Sequence, residues 1–225
     1  MTWWKRLIWV GCAFLALGLY VLPMLFQQVA IIYQFPKQWT IGLGLLLIIF
    51  ILLVFVVAAK KTGILSPSGK IFQKGDGKRI ALGLLGMLLI SVLGTVLLRW
   101  LHGEATTANQ ASLMEEFRRG DVILLSIMLG VLAPIAEEII FRGIIPLKIF
   151  KGYESWGYII GGLLFAIFHG PTNIMSFVIY GGASVILTLM ACRTRRLEVS
   201  IAVHMLNNGL PAILMLLIPI FGVEV

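Results

Sequence analysis

Long apolar runs separated by short basic or glycine-rich connectors organise this chain almost from end to end. Candidate spans are 7–33, 40–59, 80–101, 121–146, 156–169, 174–192 and 199–222. A hydrocarbon core about 30 Å thick is crossed by roughly 20 apolar residues in a helix, and several of these runs meet that length. The runs are continuously apolar rather than alternating, which argues against a β-barrel. The pattern predicts an all-α, polytopic transmembrane bundle of seven or eight spans. Pro23 should kink the first span, and Gly209-Leu210-Pro211 should break the last into two shorter helices.

Composition agrees with this class. Of the 225 residues, 60% are hydrophobic and 12% charged, and the mean hydropathy of +1.01 lies far from that of a soluble domain. The first run begins like a signal peptide, but it is too long for one and lacks a small-x-small cleavage site, so it reads as an uncleaved span. We expect a single domain in two parts. Residues 1–120 hold apolar spans and a basic cytoplasmic loop, and 121–225 hold a catalytic transmembrane core.

The net charge of +8 would suit a nucleic-acid partner, but the basic residues sit in short loops between spans. With the N-terminus cytoplasmic, Lys5, Arg6, Lys60, Lys61, Lys70, Lys74, Lys78, Arg79, Lys148, Lys151, Arg193, Arg195 and Arg196 fall inside. Only Lys37, Arg118 and Arg119 fall outside, with Arg99 and Arg142 in or at the ends of spans. This bias orients the bundle and removes the case for nucleic acid. The acidic and basic segment 102–120 is expected to form a short interfacial helix, with Asp121 capping the next span. Cys12 and Cys192 make no metal-ligand spacing. No internal repeat of useful period is present, which weakens a transporter built from inverted halves.

Ionisable groups within spans are costly, by roughly 2.5–3.5 kcal/mol each, so those that occur are informative. The first three spans are almost free of them, whereas the later ones carry Glu137, Glu138, Arg142, His169, His204, Asn207 and Asn208. In APIAEEIIFRG the two adjacent carboxylates diverge by roughly 100° and should not serve one partner on the same face. Glu138 and Arg142 are four apart and can pair, which leaves Glu137 free to face a cavity. Pro134 removes a backbone hydrogen bond just upstream and makes room for a water beside Glu137. In FAIFHGP, Phe165 and His169 share a helix face; in SIAVHMLNN, so do His204 and Asn208. The two side chains of this second pair can donate into one spot, as an oxyanion site requires. Each group alone also reads as packing glue between helices.

PIAEEIIFRG, FAIFH and SIAVHMLNN, in that order on successive spans, resemble the EExxxR, FxxxH and HxxxN motifs of the type II CAAX-prenyl protease and bacteriocin-processing and immunity (CPBP, Abi) family. The resemblance covers 121–210, the preceding residues matching only as generic spans. It implies an intramembrane endopeptidase in which Glu137 is the base that activates water, assisted by His169. His204 and Asn208 become oxyanion stabilisers, and Glu138 with Arg142 a supporting pair. The family has also been described as metalloproteases; were zinc present, Glu137, His169 and His204 would be its ligands. The lack of HExxH and the commitment of Glu138 to Arg142 favour metal-free water activation, with no cofactor. The expected partners are a peptide or membrane-protein substrate and the lipid bilayer, and the expected location is a bacterial plasma membrane. The rival reading is a non-enzymatic immunity or scaffold protein of the same family. A proton-coupled transporter is a third.

Overall fold

A computed structural model describes residues 1–66 and 72–217. The expected inside residue Lys70 and the 218–222 end of the last predicted span lie outside them. The described residues form eight helices and contain no strand. These are α1 (Trp3–Ile32), α2 (Lys37–Lys61), α3 (Asp76–His102), α4 (Ala108–Arg119), α5 (Val122–Ile149), α6 (Glu154–Phe168), α7 (Ile174–Thr194) and α8 (Leu197–Leu217). Six are long and apolar enough to cross a membrane; α6 is apolar but shorter, and α4 is the amphipathic helix anticipated over 102–120. The polytopic helical bundle therefore stands, with seven apolar helices among the described residues.

Local chemistry sets the helix ends. Gln34, with φ of 51°, and then Pro36 close α1, and α2 starts at once. The Thr107 and Gln110 side chains form a capping box on α4, and Asn173 with Ser176 forms another on α7. Asp121 accepts from the Ile123 and Leu124 N–H groups and so caps α5 as expected.

The last span departs from the expected break. α8 runs unbroken from Leu197 through Pro211 to Leu217. Gly130 of α5 packs against it: a Cβ at Gly130 would lie 3.3 Å from the Gly209 Cα, whereas one at Gly209 would make only ordinary contact, 3.8 Å from the Gly130 carbonyl oxygen. Pro23, where a kink is expected, sits inside the helix α1.

α5 is the axis of the bundle. Of its most apolar stretch 72% is buried, against 17–39% for the other five spans. It winds as π-helix over Met128–Leu132 and again over Ile139–Ile149. The intervening α-helical segment, Ala133–Glu138, carries both carboxylates. Pro134, which cannot donate to the preceding turn, follows the first wide stretch directly, and Pro146 lies within the second. α6 crosses α5 closely because Gly161 and Gly157 face it. A Cβ at Gly161 would collide with the Phe141 carbonyl, and one at Gly157 would lie 2.5 Å from the Pro146 Cα. This contact brings the C-terminal end of α6, and with it His169, beside the carboxylates.

Candidate active site

The two carboxylates have different surroundings. Glu138 and Arg142 are fully buried and paired at 3.0 Å between Oε1 and Nη1. Arg142 also donates from Nη2 to the Ser184 hydroxyl at 2.7 Å and carbonyl at 3.2 Å, and its guanidinium lies 4.2 Å over the Phe165 ring. Glu138 accepts from the Ser200 hydroxyl at 2.5 Å on Oε2, while His204 Nδ1 lies 3.1 Å from Oε1. Both charges, and both oxygens of the carboxylate, are engaged by groups of α5, α7 or α8, which suits a buried ion pair that fixes three helices.

Glu137 is built differently. It is 3% exposed and takes one hydrogen bond, from the Tyr20 hydroxyl of α1 to Oε1 at 3.0 Å. Its Oε2 is buried with no hydrogen-bond partner among the described residues. Facing that oxygen are two imidazole nitrogens, His204 Nε2 at 3.8 Å and His169 Nε2 at 4.0 Å. These separations are too long for direct hydrogen bonds and suit a single bridging water.

Each imidazole is held from behind. His169 Nδ1 lies 2.8 Å from the Phe165 carbonyl, as a proton-bearing nitrogen would, which turns Nε2 toward Glu137. Its ring stacks on Tyr180 at 4.6 Å, and the Tyr180 hydroxyl meets Thr107 at the start of α4 at 2.5 Å. His204 is held on Glu138 through Nδ1, so its two ring nitrogens face the two carboxylates separately. The adjacent carboxylates, expected not to serve one partner on the same face, flank one imidazole from α8, whose Nδ1 lies 3.1 Å from Glu138 Oε1 and whose Nε2 lies 3.8 Å from Glu137 Oε2, on opposite sides of the ring. Asn208 Nδ2 sits 3.4 Å from His204 Nε2, and Asn207 donates to Asn208 Oδ1 at 3.0 Å, which fixes which way that amide points.

Glu137, His169, His204, Asn207 and Asn208 all line one cavity of about 540 Å³. Its remaining wall comes from α1, α3, α4, α5, α6, α7 and α8 and is mostly apolar. Polar groups converging on one side of an apolar chamber are what a site for chemistry inside a membrane requires. Sequence reasoning missed Tyr20, Ser184 and Ser200. The first is a lone tyrosine in an apolar span, and the serines are small residues common at helix contacts. Tyr20 and Ser184 carried no spacing signal, whereas Ser200 stands four residues before His204 on the same helix face.

Comparison with known proteins agrees with this arrangement. Residues 119–210 match the family described as type II CAAX prenyl endopeptidase Rce1-like. The chain is 30% identical over 192 residues to the membrane-embedded CAAX protease MroQ of Staphylococcus aureus (strain USA300), covering 76% of each chain. It is 29% identical over 188 residues to the UPF0177 protein YvdC of Lactococcus lactis subsp. lactis (strain IL1403), covering 83% of this chain and 70% of that protein. No solved structure matches. With its carboxylates, histidines and asparagines gathered in a membrane bundle, and with these relatives, the chain belongs to the Rce1-like family of type II CAAX prenyl endopeptidases, which are membrane-embedded proteases.

Proposed function

We propose that this protein is an endopeptidase of the bacterial plasma membrane that hydrolyses a peptide bond with water activated at Glu137. The observation that carries the reading is the buried, unpartnered Glu137 Oε2 facing two imidazole nitrogens at water-bridging distance. A water held between Oε2 and His169 Nε2 gives its proton to Glu137 as its oxygen attacks the carbonyl carbon. The oxygen of the tetrahedral intermediate takes a hydrogen bond from Asn208 Nδ2, beside His204, which Glu138 holds at Nδ1. Glu137 then passes its proton to the leaving nitrogen as the C–N bond breaks.

Tyr20 positions the base. Its bond to Oε1 keeps Oε2 turned toward the histidines. Tyr20→Phe should lower kcat by about tenfold, the scale of one hydrogen bond to a charged group, with KM within about twofold.

A zinc ion would draw on Glu137, His169 and His204, the Glu138 carboxylate being committed to Arg142 and to His204 Nδ1. Among the described residues no cluster of His, Cys, Asp or Glu has metal-holding geometry. We therefore derive no step through a metal.

The substrate reading follows from the lining. Among the described residues around the cavity none is Lys or Arg, so no cation is placed to receive a free C-terminal carboxylate, while Asn109, Gln110 and Asn207 offer amides to a peptide backbone. The scissile bond is thus internal to an uncharged stretch of a peptide or membrane protein. The test uses purified protein in detergent and matched peptides ending in a free acid or an amide, with and without a zinc chelator. Both peptides should be cut at the same internal bond at similar rates, and the chelator should change nothing. A loss of about tenfold or more on amidation would show that a carboxylate is read, and loss of activity restored only by zinc would overturn the metal-free reading.

A further inference from the structure

The two ends of the bundle differ in charge and in closure. We propose that the cavity takes its substrate from the extracytoplasmic side of the membrane, so that the substrate is an exported or outer-leaflet polypeptide. What happens at Glu137 rests on the protease reading, but the side of entry does not.

The cavity is lined only from one half of the bundle. α3 contributes from Met87 to Thr95, α5 from Leu129 to Glu137, α7 from Ile179 to Ala183 and α8 from His204 to Met215. On α3 and α8 these run from near the middle toward the C-terminus, and on α5 and α7 they run from the N-terminal half to near the middle, so they share one end. α4 lies across that end, presenting Asn109, Gln110, Leu113, Met114 and Phe117 to the cavity, and the exposed loop residues Ala105 and Thr106 line its margin.

Among the described residues the other end is closed. Below Glu137 lies the fully engaged layer of Glu138, Arg142, Ser184 and Ser200. Beyond it, connections between helices and loops close the bundle. Arg6 donates to the Ile149 and Lys151 carbonyls at 2.5 and 2.8 Å, Lys148 to the Thr62 carbonyl, and the Ser66 N–H to Glu198 at 2.7 Å; Arg196 pairs with Asp76 at 2.5 Å.

The sealed end is also the basic one. Among the described residues it carries twelve Lys and Arg against three Asp and Glu, whereas the open end carries four of each. Basic loops remain on the cytoplasmic side of a bilayer. The sealed end is therefore cytoplasmic, and the mouth beneath α4 opens away from the cytoplasm. A tail presented from the cytoplasm meets the sealed layer and does not reach Glu137.

Cysteine labelling tests this without any cleavage assay. In a background with Cys12→Ala and Cys192→Ala, Ala105→Cys is placed at the mouth and Lys151→Cys at the sealed end, and intact cells are treated with a membrane-impermeant maleimide. Ala105→Cys should label in intact cells and Lys151→Cys only after permeabilisation. Labelling of Lys151→Cys in intact cells, or of Ala105→Cys only in permeabilised ones, overturns the proposal. Because labelling needs no turnover, a protein that proved inactive would leave the assignment of sides intact.

Discussion

Glu137→Gln is expected to leave a folded, membrane-inserted protein whose kcat falls by about 10³-fold, within the usual range for removing a general base. The carboxamide keeps the size of the side chain and an oxygen to accept from Tyr20. It cannot take a proton from water. Stability should change by less than about 1 kcal/mol, because the lost Oε2 has no hydrogen-bond partner among the described residues that would be stranded. KM should hold, since the substrate is bound by the cavity wall rather than by this oxygen. Turnover that survived within tenfold would remove Glu137 from the base role.

Arg142→Met should have the opposite profile, with its largest effect on stability. Glu138, Ser184 and the Phe165 ring all lose their partner while the Glu138 carboxylate remains wholly buried. Breaking a buried pair by removing one member costs about 3–5 kcal/mol. Thermal unfolding in detergent reads this directly. Adding Glu138→Gln should restore part of the loss, since the stranded charge is then gone. A single variant with wild-type stability would show that the layer does not hold α5, α7 and α8 together.

The bundle was legible in the chain because a bilayer imposes a coarse rule: every span must be a long apolar helix. The helix ends could be read where Asp121 or the segment before α4 carried capping chemistry. The two π-helical windings of α5 could not, because apolar periodicity in a uniformly apolar run does not report residues per turn. Gly209 and Pro211 looked like a break. The helix stays continuous there, and it is Gly130 of α5, opposite Gly209, whose missing side chain lets the two backbones approach.

The candidate site was legible for a related reason. Ionisable side chains in spans are few, so their positions stand out, and four-residue spacing paired Glu138 with Arg142 before any geometry was seen. The part played by His204 between the carboxylates depends on helix placement. Tyr20 belongs to the front half, where the scarcity of charged groups gave no reason to look.

The central claim is that Glu137 turns over a peptide bond inside the membrane. It is tested most directly by comparing the membrane peptides of cells carrying the wild-type protein with those of cells carrying Glu137→Gln, at equal protein levels. The account predicts that a precursor accumulates in the variant and that its internal cleavage products disappear. Identical peptide inventories, with the variant performing every cellular role of the wild type, would contradict it and favour a scaffold or immunity protein that works without catalysis.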